Sequence, residues 1–223
     1  MRSSLSGVFL VDLAQASAIG AVARGVLWPC DVLERRWADG PRHSAPRLVP
    51  TCVRFAPVQG VNVAFKFLFS SVLLAQPAVQ SDARLAVASN FVAGAAAGAC
   101  GWLVMQPVEL VAGARLHAGL LRGLPHAVTF RCLSFGLFDT SAPFTARDYP
   151  VRVGAAFCAA FVAALCASPF GAGRAGLRRV TLQALPGALV LPTVEFTFRA
   201  RDDPAWRQWL REAQTRMMSQ RKI

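Results

Sequence analysis

Three arginines that lie in mostly apolar stretches are the residues of this chain best suited to chemistry. Arg24, Arg54 and Arg131 each interrupt such a stretch. A charge inside a membrane is costly, and a residue of this kind is by default a candidate for function. Guanidinium groups that converge on one cavity would bind an anion through charge-assisted hydrogen bonds. The alternative is that they are neutralised by Asp12, by Asp31, by backbone carbonyls or by lipid phosphates.

The sequence offers no set of residues for catalysis or for metal binding. We find neither a nucleophile with a base nor a glycine-rich loop suited to phosphate. The histidines show no metal-ligand spacing, and we place all three in or near the loops of one face: His43, His117 and His126. The cysteines include no C-x-x-C pair and are interpreted as apolar fillers: Cys30, Cys52, Cys100, Cys132, Cys158 and Cys166. We therefore expect no enzyme activity, no metal and no other cofactor.

The composition predicts a membrane protein. Of the 223 residues, 54% are hydrophobic and 16% are charged. A membrane-spanning helix needs about 20 mostly apolar residues. Six stretches are candidates: 8–33, 52–75, 86–112, 125–142, 151–173 and 180–199. A soluble all-α protein is the alternative, but six such stretches leave too little polar sequence to coat a soluble globule.

The net charge of +12 comes almost entirely from arginine, and it is unevenly distributed. Most of the bases follow the first, third and fifth predicted spans: Arg35, Arg36, Arg42, Arg47, Arg115, Arg122, Arg174, Arg178 and Arg179. The opposite connections hold only Arg84, Arg147 and Arg152. The positive-inside rule then places both termini on one side of the membrane and the basic connections on the other. Nucleic-acid binding is the alternative explanation of the basic charge.

A proline recurs at the end of three apolar stretches, at Pro29, Pro107 and Pro169. Proline inside a helix removes a backbone donor and forces a kink. Its recurrence predicts three repeats, each with one kinked helix and one partner helix. Gly94 and Gly98 form a G-x-x-x-G pattern before the second proline, which lets two membrane helices approach closely.

The stretches around these prolines resemble the mitochondrial carrier family, and within it the ADP/ATP carrier branch. Residues 90–107, NFVAGAAAGACGWLVMQP, are similar to an odd-numbered carrier helix. Asp12 precedes Pro29 by the same 17 positions that separate Asn90 from Pro107. Two further stretches are similar to the second and fourth carrier helices: 52–66 and 130–140.

The resemblance implies an all-α membrane protein with six transmembrane helices in three pseudo-repeats. It implies one domain over residues 1–199, in the mitochondrial inner membrane, with both termini on the intermembrane-space side. The repeats would be about 1–75, 76–145 and 146–199.

The resemblance also implies two charged gates, of which this chain keeps only parts. Carriers build the matrix gate from P-x-[DE]-x-x-[KR] in the odd helices, and the remnants here are Pro29, Asp31, Pro107, Glu109, Pro169 and Arg174. They build the outer gate from [FY]-[DE]-x-x-[KR] in the even helices, and the remnants are Asp139, Glu195 and Arg199. Other residues replace the expected partners: Glu34, Phe67, Ser70, Ala112, Ala142, Gly171 and Phe198. We therefore expect no symmetric ring of ion pairs.

In the ADP/ATP branch, cations at the positions of Arg24, Arg54 and Arg131 contact the substrate phosphates. The resemblance thus implies a substrate site here, which is either functional or vestigial. The arginine of the sixth carrier helix is Gln183 in this chain. Carriers also insert a matrix helix after each odd helix, whereas Arg54 follows Pro29 by only 25 positions. We therefore expect the matrix helices to be missing.

The tail over residues 200–223 predicts a basic amphipathic helix. Asp202 and Asp203 provide a cap, and Pro204 suits the first turn. The apolar residues Trp206 and Leu210 then fall on one face. Such a helix would lie on anionic lipid or dock on a partner, and a solvated tail is the third alternative.

Two functions are compatible with these residues. The first is a carrier-derived structural subunit of a large inner-membrane assembly such as a respiratory-chain complex, with the other subunits and lipid as partners. The second is a divergent transporter of ADP/ATP or of another anionic metabolite. Bound cardiolipin is an expectation from the resemblance, helped by the basic helix ends. We expect no nucleic-acid partner.

Overall fold

The computed structural model describes residues 5–39, 48–111, 116–145, 148–170 and 177–202, and within them every regular element is helical. The helices are α1 (Leu5–Asp39), α2 (Leu48–Leu74), α3 (Pro77–Ser81), α4 (Ala83–Val111), α5 (Leu116–Thr140), α6 (Ala142–Thr145), α7 (Tyr149–Ala167) and α8 (Leu177–Asp202), and a 3-10 turn follows α7 at Ser168–Phe170. The predicted all-α class is confirmed for this part of the chain.

The six long helices form a closed ring. Contacts run from α1 to α2, α4, α5, α7 and α8 in turn, and α8 packs back against α1. Neighbouring helices are antiparallel, since Phe9 contacts Phe65 at one end of the first pair, with 5.4 Å between ring centroids, while Gly25 faces Cys52 towards the other. We call the end where α1, α4 and α7 begin the terminal end, and the opposite end the connection end.

Glycines allow close contact between α4 and α5. A Cβ atom on Gly94 would lie 2.6 Å from the carbonyl oxygen of Arg131, and one on Gly98 would lie 2.8 Å from that of Ala127. Real Cβ atoms do not approach backbone this closely, so any side chain here would force the helices apart. Both glycines of the G-x-x-x-G pattern therefore lie at a helix–helix contact.

The three recurring prolines do not occupy equivalent structures. Pro29 lies inside α1, and Pro107 lies within the bounds of α4. Pro169, in contrast, lies in the 3-10 turn after α7, which ends at Ala167. The predicted kinked helix at Pro169 is therefore wrong. Proline lacks the N–H that would continue the helix, and it disfavours helical geometry in the residue before it.

Apolar residues fill the interior of the ring towards the terminal end. One cluster joins α1, α2 and α8: Ala16, Ala23, Val63, Val190 and Val194. A second joins α4, α5, α7 and α8: Ala97, Phe135, Phe138, Ala156, Ala159 and Leu191. The many alanines bring helix backbones close together, and the larger side chains fill the remaining space.

Four of the described helices are long and apolar enough to cross a membrane. They cover Phe9–Cys30, Leu48–Leu74, Ala83–Met105 and Tyr149–Phe170. On the outer face of α1, Val22 and Val26 are 68% and 65% exposed. Such exposed apolar residues suit a lipid environment. The shorter stretch Ala184–Thr197 of α8 is apolar as well.

Five of the six long helices are longer than the sequence predicted, and α7 is shorter. α5 begins at Leu116, nine residues before the predicted start at 125, because Pro125 is accommodated inside the helix. α1 likewise continues to Asp39, beyond the predicted end at 33. Only short connections are left at the connection end: 40–47, 112–115 and 171–176.

Candidate functional site

A cavity of about 310 Å³ lies inside the ring, in the half nearer the connection end. α1, α2, α4, α5 and α8 supply its walls. The polar residues among them are Arg24, Gln59, Asn62, Trp102, His126 and Arg131. Few concave, partly apolar sites with convergent polar groups occur in a protein, which makes this cavity the candidate binding site.

Two of the three arginines predicted for a substrate site line this cavity. The guanidinium of Arg24 lies over the ring of Phe55, with 5.1 Å from Cζ to the ring centroid. That of Arg131 lies 5.5 Å from the centroid of Phe130, and its Nη2 donates a hydrogen bond of 3.4 Å to Oε1 of Gln59. The side chain of the third, Arg54, lies outside the described residues.

The sequence analysis missed polar residues of the cavity wall, among them Gln59 and Asn62 and the two aromatic residues Trp102 and His126. The indole Nε1 of Trp102 is buried and has no hydrogen-bond partner among the described residues. The ring of His126 stacks on Phe130, with 6.2 Å between centroids. The prediction that placed this histidine in or near a loop is wrong, because α5 begins ten residues earlier. Trp102 could have been found, since it precedes its proline by five positions, as Arg24 does.

Two sets of residues from α2, α5 and α8 enter the cavity wall with the same pair of spacings. Positions 72 and then 56 apart supply two sets of three wall residues: Val58, Phe130 and Pro186, and Gln59, Arg131 and Gly187. Each set therefore takes one residue from α2, one from α5 and one from α8. The glycine in the second set adds no charge, and among the described residues the arginines of the cavity come from α1 and α5.

Two ion pairs lie nearer the terminal end. Nζ of Lys66 in α2 is 2.9 Å from Oδ2 of Asp139 in α5. These helices are not neighbours in the ring, so this pair crosses its interior. Nε of Arg152 in α7 is 2.7 Å from Oε2 of Glu195 in α8. The four side chains are mostly buried, with Arg152 only 5% exposed.

Arg152 has further partners besides its carboxylate. Its Nη1 donates hydrogen bonds to the carbonyl oxygen of Phe138 at 2.7 Å, and to the hydroxyls of Ser141 and Thr145 at 3.0 Å each. Its Cζ lies 3.6 Å from the ring centroid of Phe138. One side chain of α7 thus joins the end of α5, the short helix α6 and the middle of α8. Its buried charge is both paired and hydrogen-bonded, as burial requires.

The remnants of the outer gate are therefore paired differently from the prediction. Asp139 and Glu195 both have basic partners, but these come from outside their own sequence motifs. Arg152 was assigned to a connection, and this is wrong because it is buried in α7. Phe67, which stands 72 positions before Asp139, carries no charge, so the expectation of an asymmetric set of charges stands. The side chain of Arg199 lies outside the described residues.

The matrix-gate remnants can be followed only in part. Pro29 is an exposed residue of α1. Arg174 and the tail beyond Asp202 lie outside the described residues, as do the side chains of Asp31, Pro107 and Glu109. Among the described residues, no group of three His, Cys, Asp or Glu side chains could hold a metal ion.

Over the described residues, fold and site define a closed ring of helices, four of them long and apolar enough to cross a membrane, around a cavity lined by Arg24 and Arg131. The chain matches no protein-family model and no curated protein.

Proposed function

We propose that this chain is a carrier-like protein of the mitochondrial inner membrane in which all six long helices span the bilayer. The six long helices support this, because each α-helix satisfies its interior backbone hydrogen bonds within itself, as a bilayer requires. The two sets of cavity wall residues that share the same spacings, 72 and then 56 positions, support three repeats within residues 1–199. The uneven arginine distribution supports placing both termini on the intermembrane-space side.

Within that class, a structural role fits the chain best, as an accessory subunit of a large assembly such as a respiratory-chain complex. The carrying observation is the length of the three connections at the connection end, eight, four and six residues. A surface helix of two turns with a turn at either end takes about a dozen residues. The resemblance implies such a helix after each odd helix of a transporter, so the short sequence between the long helices favours a structural role.

The cavity is compatible with this role. Arg131 is already engaged by Gln59 and by the aromatic rings beside it. A guanidinium with partners inside the protein does not need a substrate to be stable. Lipid phosphates at the basic helix ends, cardiolipin among them, would complete the surface of such a subunit.

Native electrophoresis of mildly solubilised membranes tests the structural role, with mass spectrometry along the lane. We expect the protein to migrate only with a band far larger than its own 23.9 kDa. Migration at monomer size, with none in a large band, would overturn the structural role.

An anion transporter is the second candidate, and the cavity itself favours it. Arg24, Arg131 and the buried indole of Trp102 supply donors in a space of about 310 Å³. The test is uptake of ATP by proteoliposomes that contain the purified protein. Arg131→Gln should abolish any uptake, while the matched control Arg84→Gln, at an exposed site in α4, should not. Uptake with this dependence would replace the structural proposal, and absence of uptake would exclude ATP transport.

A further inference from the structure

Trp102 places a hydrogen-bond donor in the wall of the cavity. The carrier resemblance assigns the substrate contacts to Arg24, Arg54 and Arg131, and Trp102 is not among them. Its indole Nε1 is buried, and no described residue accepts a hydrogen bond from it. A buried N–H without a partner is costly, so a bound molecule or water normally satisfies such a group. An occupant of the cavity that accepts a hydrogen bond would therefore gain from this donor.

Packing against α5 fixes the indole in this position. The ring lies against Gly123, where a Cβ atom would overlap Cζ2 and Cη2 of the indole. Four residues earlier in α4, Gly98 likewise packs against Arg131, whose Cβ lies 2.9 Å from where a Cβ on Gly98 would be. One helical turn, about 6 Å along α4, separates the two contacts. The indole N–H and the guanidinium therefore belong to the same wall, and the indole donor is ordered before any ligand binds.

The rest of this wall indicates the chemical class of the ligand. A guanidinium has five N–H groups, and among the described residues only Gln59 accepts a hydrogen bond from Arg131, at 3.4 Å. Phosphate and carboxylate oxygens are the acceptors that best match the free donors. Val58, Met105 and Phe130 add apolar surface to the same cavity. The lining therefore suits a small organic molecule that carries a phosphate or carboxylate group.

We infer that Trp102 is a specificity-determining residue of the cavity, whose N–H binds an oxygen of the phosphate or carboxylate group that Arg131 holds. A ligand without an acceptor at this point would leave the buried N–H unpaired and would bind more weakly. This role rests on the cavity being a binding site, as in the second candidate function. Binding is measured apart from transport and from assembly, so the role of Trp102 and the proposed functions can fail separately.

Isothermal titration calorimetry of the full chain in phosphatidylcholine nanodiscs tests this role, with ATP as the phosphate probe and citrate as the carboxylate probe. We expect the unchanged protein to bind at least one of them. Trp102→Phe should weaken that binding about tenfold, because a hydrogen bond to a charged group is lost while an aromatic ring remains. Trp28→Phe is the matched control, since Trp28 lies in α1 outside the cavity wall, and it should leave the affinity unchanged.

Trp102→His separates the hydrogen bond from the packing of the ring. Histidine and phenylalanine are both aromatic and smaller than tryptophan, but only histidine keeps a ring N–H. Trp102→His should therefore bind the probe more tightly than Trp102→Phe does. Equal weakening by the two substitutions would overturn the role, and so would unchanged binding by Trp102→Phe. Failure of the unchanged protein to bind either probe would overturn it as well, and is the result expected if a lipid headgroup or water alone fills the cavity.

Discussion

At the scale of single residues, two of the acids in the described interior are paired with bases from other helices. Lys66 and Asp139 come from α2 and α5, and Arg152 and Glu195 come from α7 and α8. A buried pair gains little net stability when it forms, but removing one partner leaves an uncompensated charge. The cost of a single substitution should therefore exceed the cost of removing both charges.

The pair of Lys66 and Asp139 allows a direct test of this asymmetry. Asp139→Asn should lower the free energy of unfolding by about 2–4 kcal/mol, because the ammonium group loses its only ion-pair partner among the described residues. The double variant Lys66→Met with Asp139→Leu should recover most of that loss. The midpoint of thermal unfolding, followed by tryptophan fluorescence, measures both.

Asp148→Asn is the control for this prediction. Asp148 is exposed just before α7, and its side chain makes no capping hydrogen bond. Its substitution should change stability by less than about 0.5 kcal/mol. Equal losses for Asp139→Asn and the double variant would contradict the prediction, because the pair would then be favourable in itself.

Sequence reasoning located Arg24 and Arg131 in the cavity but misplaced Arg152 and overlooked Lys66. The two cavity arginines interrupt long apolar stretches, which marks them in the sequence alone. Arg152 lies four residues into α7, and a charge so close to a predicted boundary was counted with the connection. The pairing of Lys66 with α5 depends on a contact across the ring, which a local pattern does not contain.

At the scale of helices, the sequence predicts which stretches are helical better than it predicts where each helix begins and ends. Each of the six predicted apolar stretches coincides over most of its described residues with one long helix. The ends were displaced at two prolines, Pro125, which was taken as a start, and Pro169, which was placed inside a helix. Pro125 lies inside α5, and α7 ends two residues before Pro169, so the same residue type had opposite outcomes.

The glycine contact between α4 and α5 leads to a prediction for helix packing. Gly94→Ala should destabilise the protein by about 1–3 kcal/mol, because the added methyl group would meet the backbone of Arg131 and Cys132. Gly154→Ala in α7 is the matched control, since a Cβ atom there meets nothing within 4 Å. Alanine favours helix over glycine, so the control should be neutral or more stable by up to about 1 kcal/mol. A neutral Gly94→Ala variant would show that the two helices are not held at this contact.

At the scale of the whole molecule, the proposed ring has six membrane spans, and the alternative has only the four most apolar helices as spans. Four helices meet the length and hydropathy of a span, while α5 and α8 are part of the ring without meeting it. Both have neighbours on two sides that cover part of their surface. A helix whose polar residues face an interior cavity can span a bilayer with fewer apolar residues than an isolated helix needs.

Single cysteines at Ser44, Asp148 and Gly173 test the six-span arrangement in a chain without native cysteines. If α5 and α8 both span, an impermeant thiol reagent reaches Asp148→Cys from the side of the termini, and reaches Ser44→Cys and Gly173→Cys from the opposite side. If only the four apolar helices span, α7 runs in the opposite direction, and the labelling of positions 148 and 173 exchanges sides while that of position 44 does not. Arg84→Cys, at the start of α4, reports the side of the termini in both arrangements. The exchanged pattern would overturn the six-span ring.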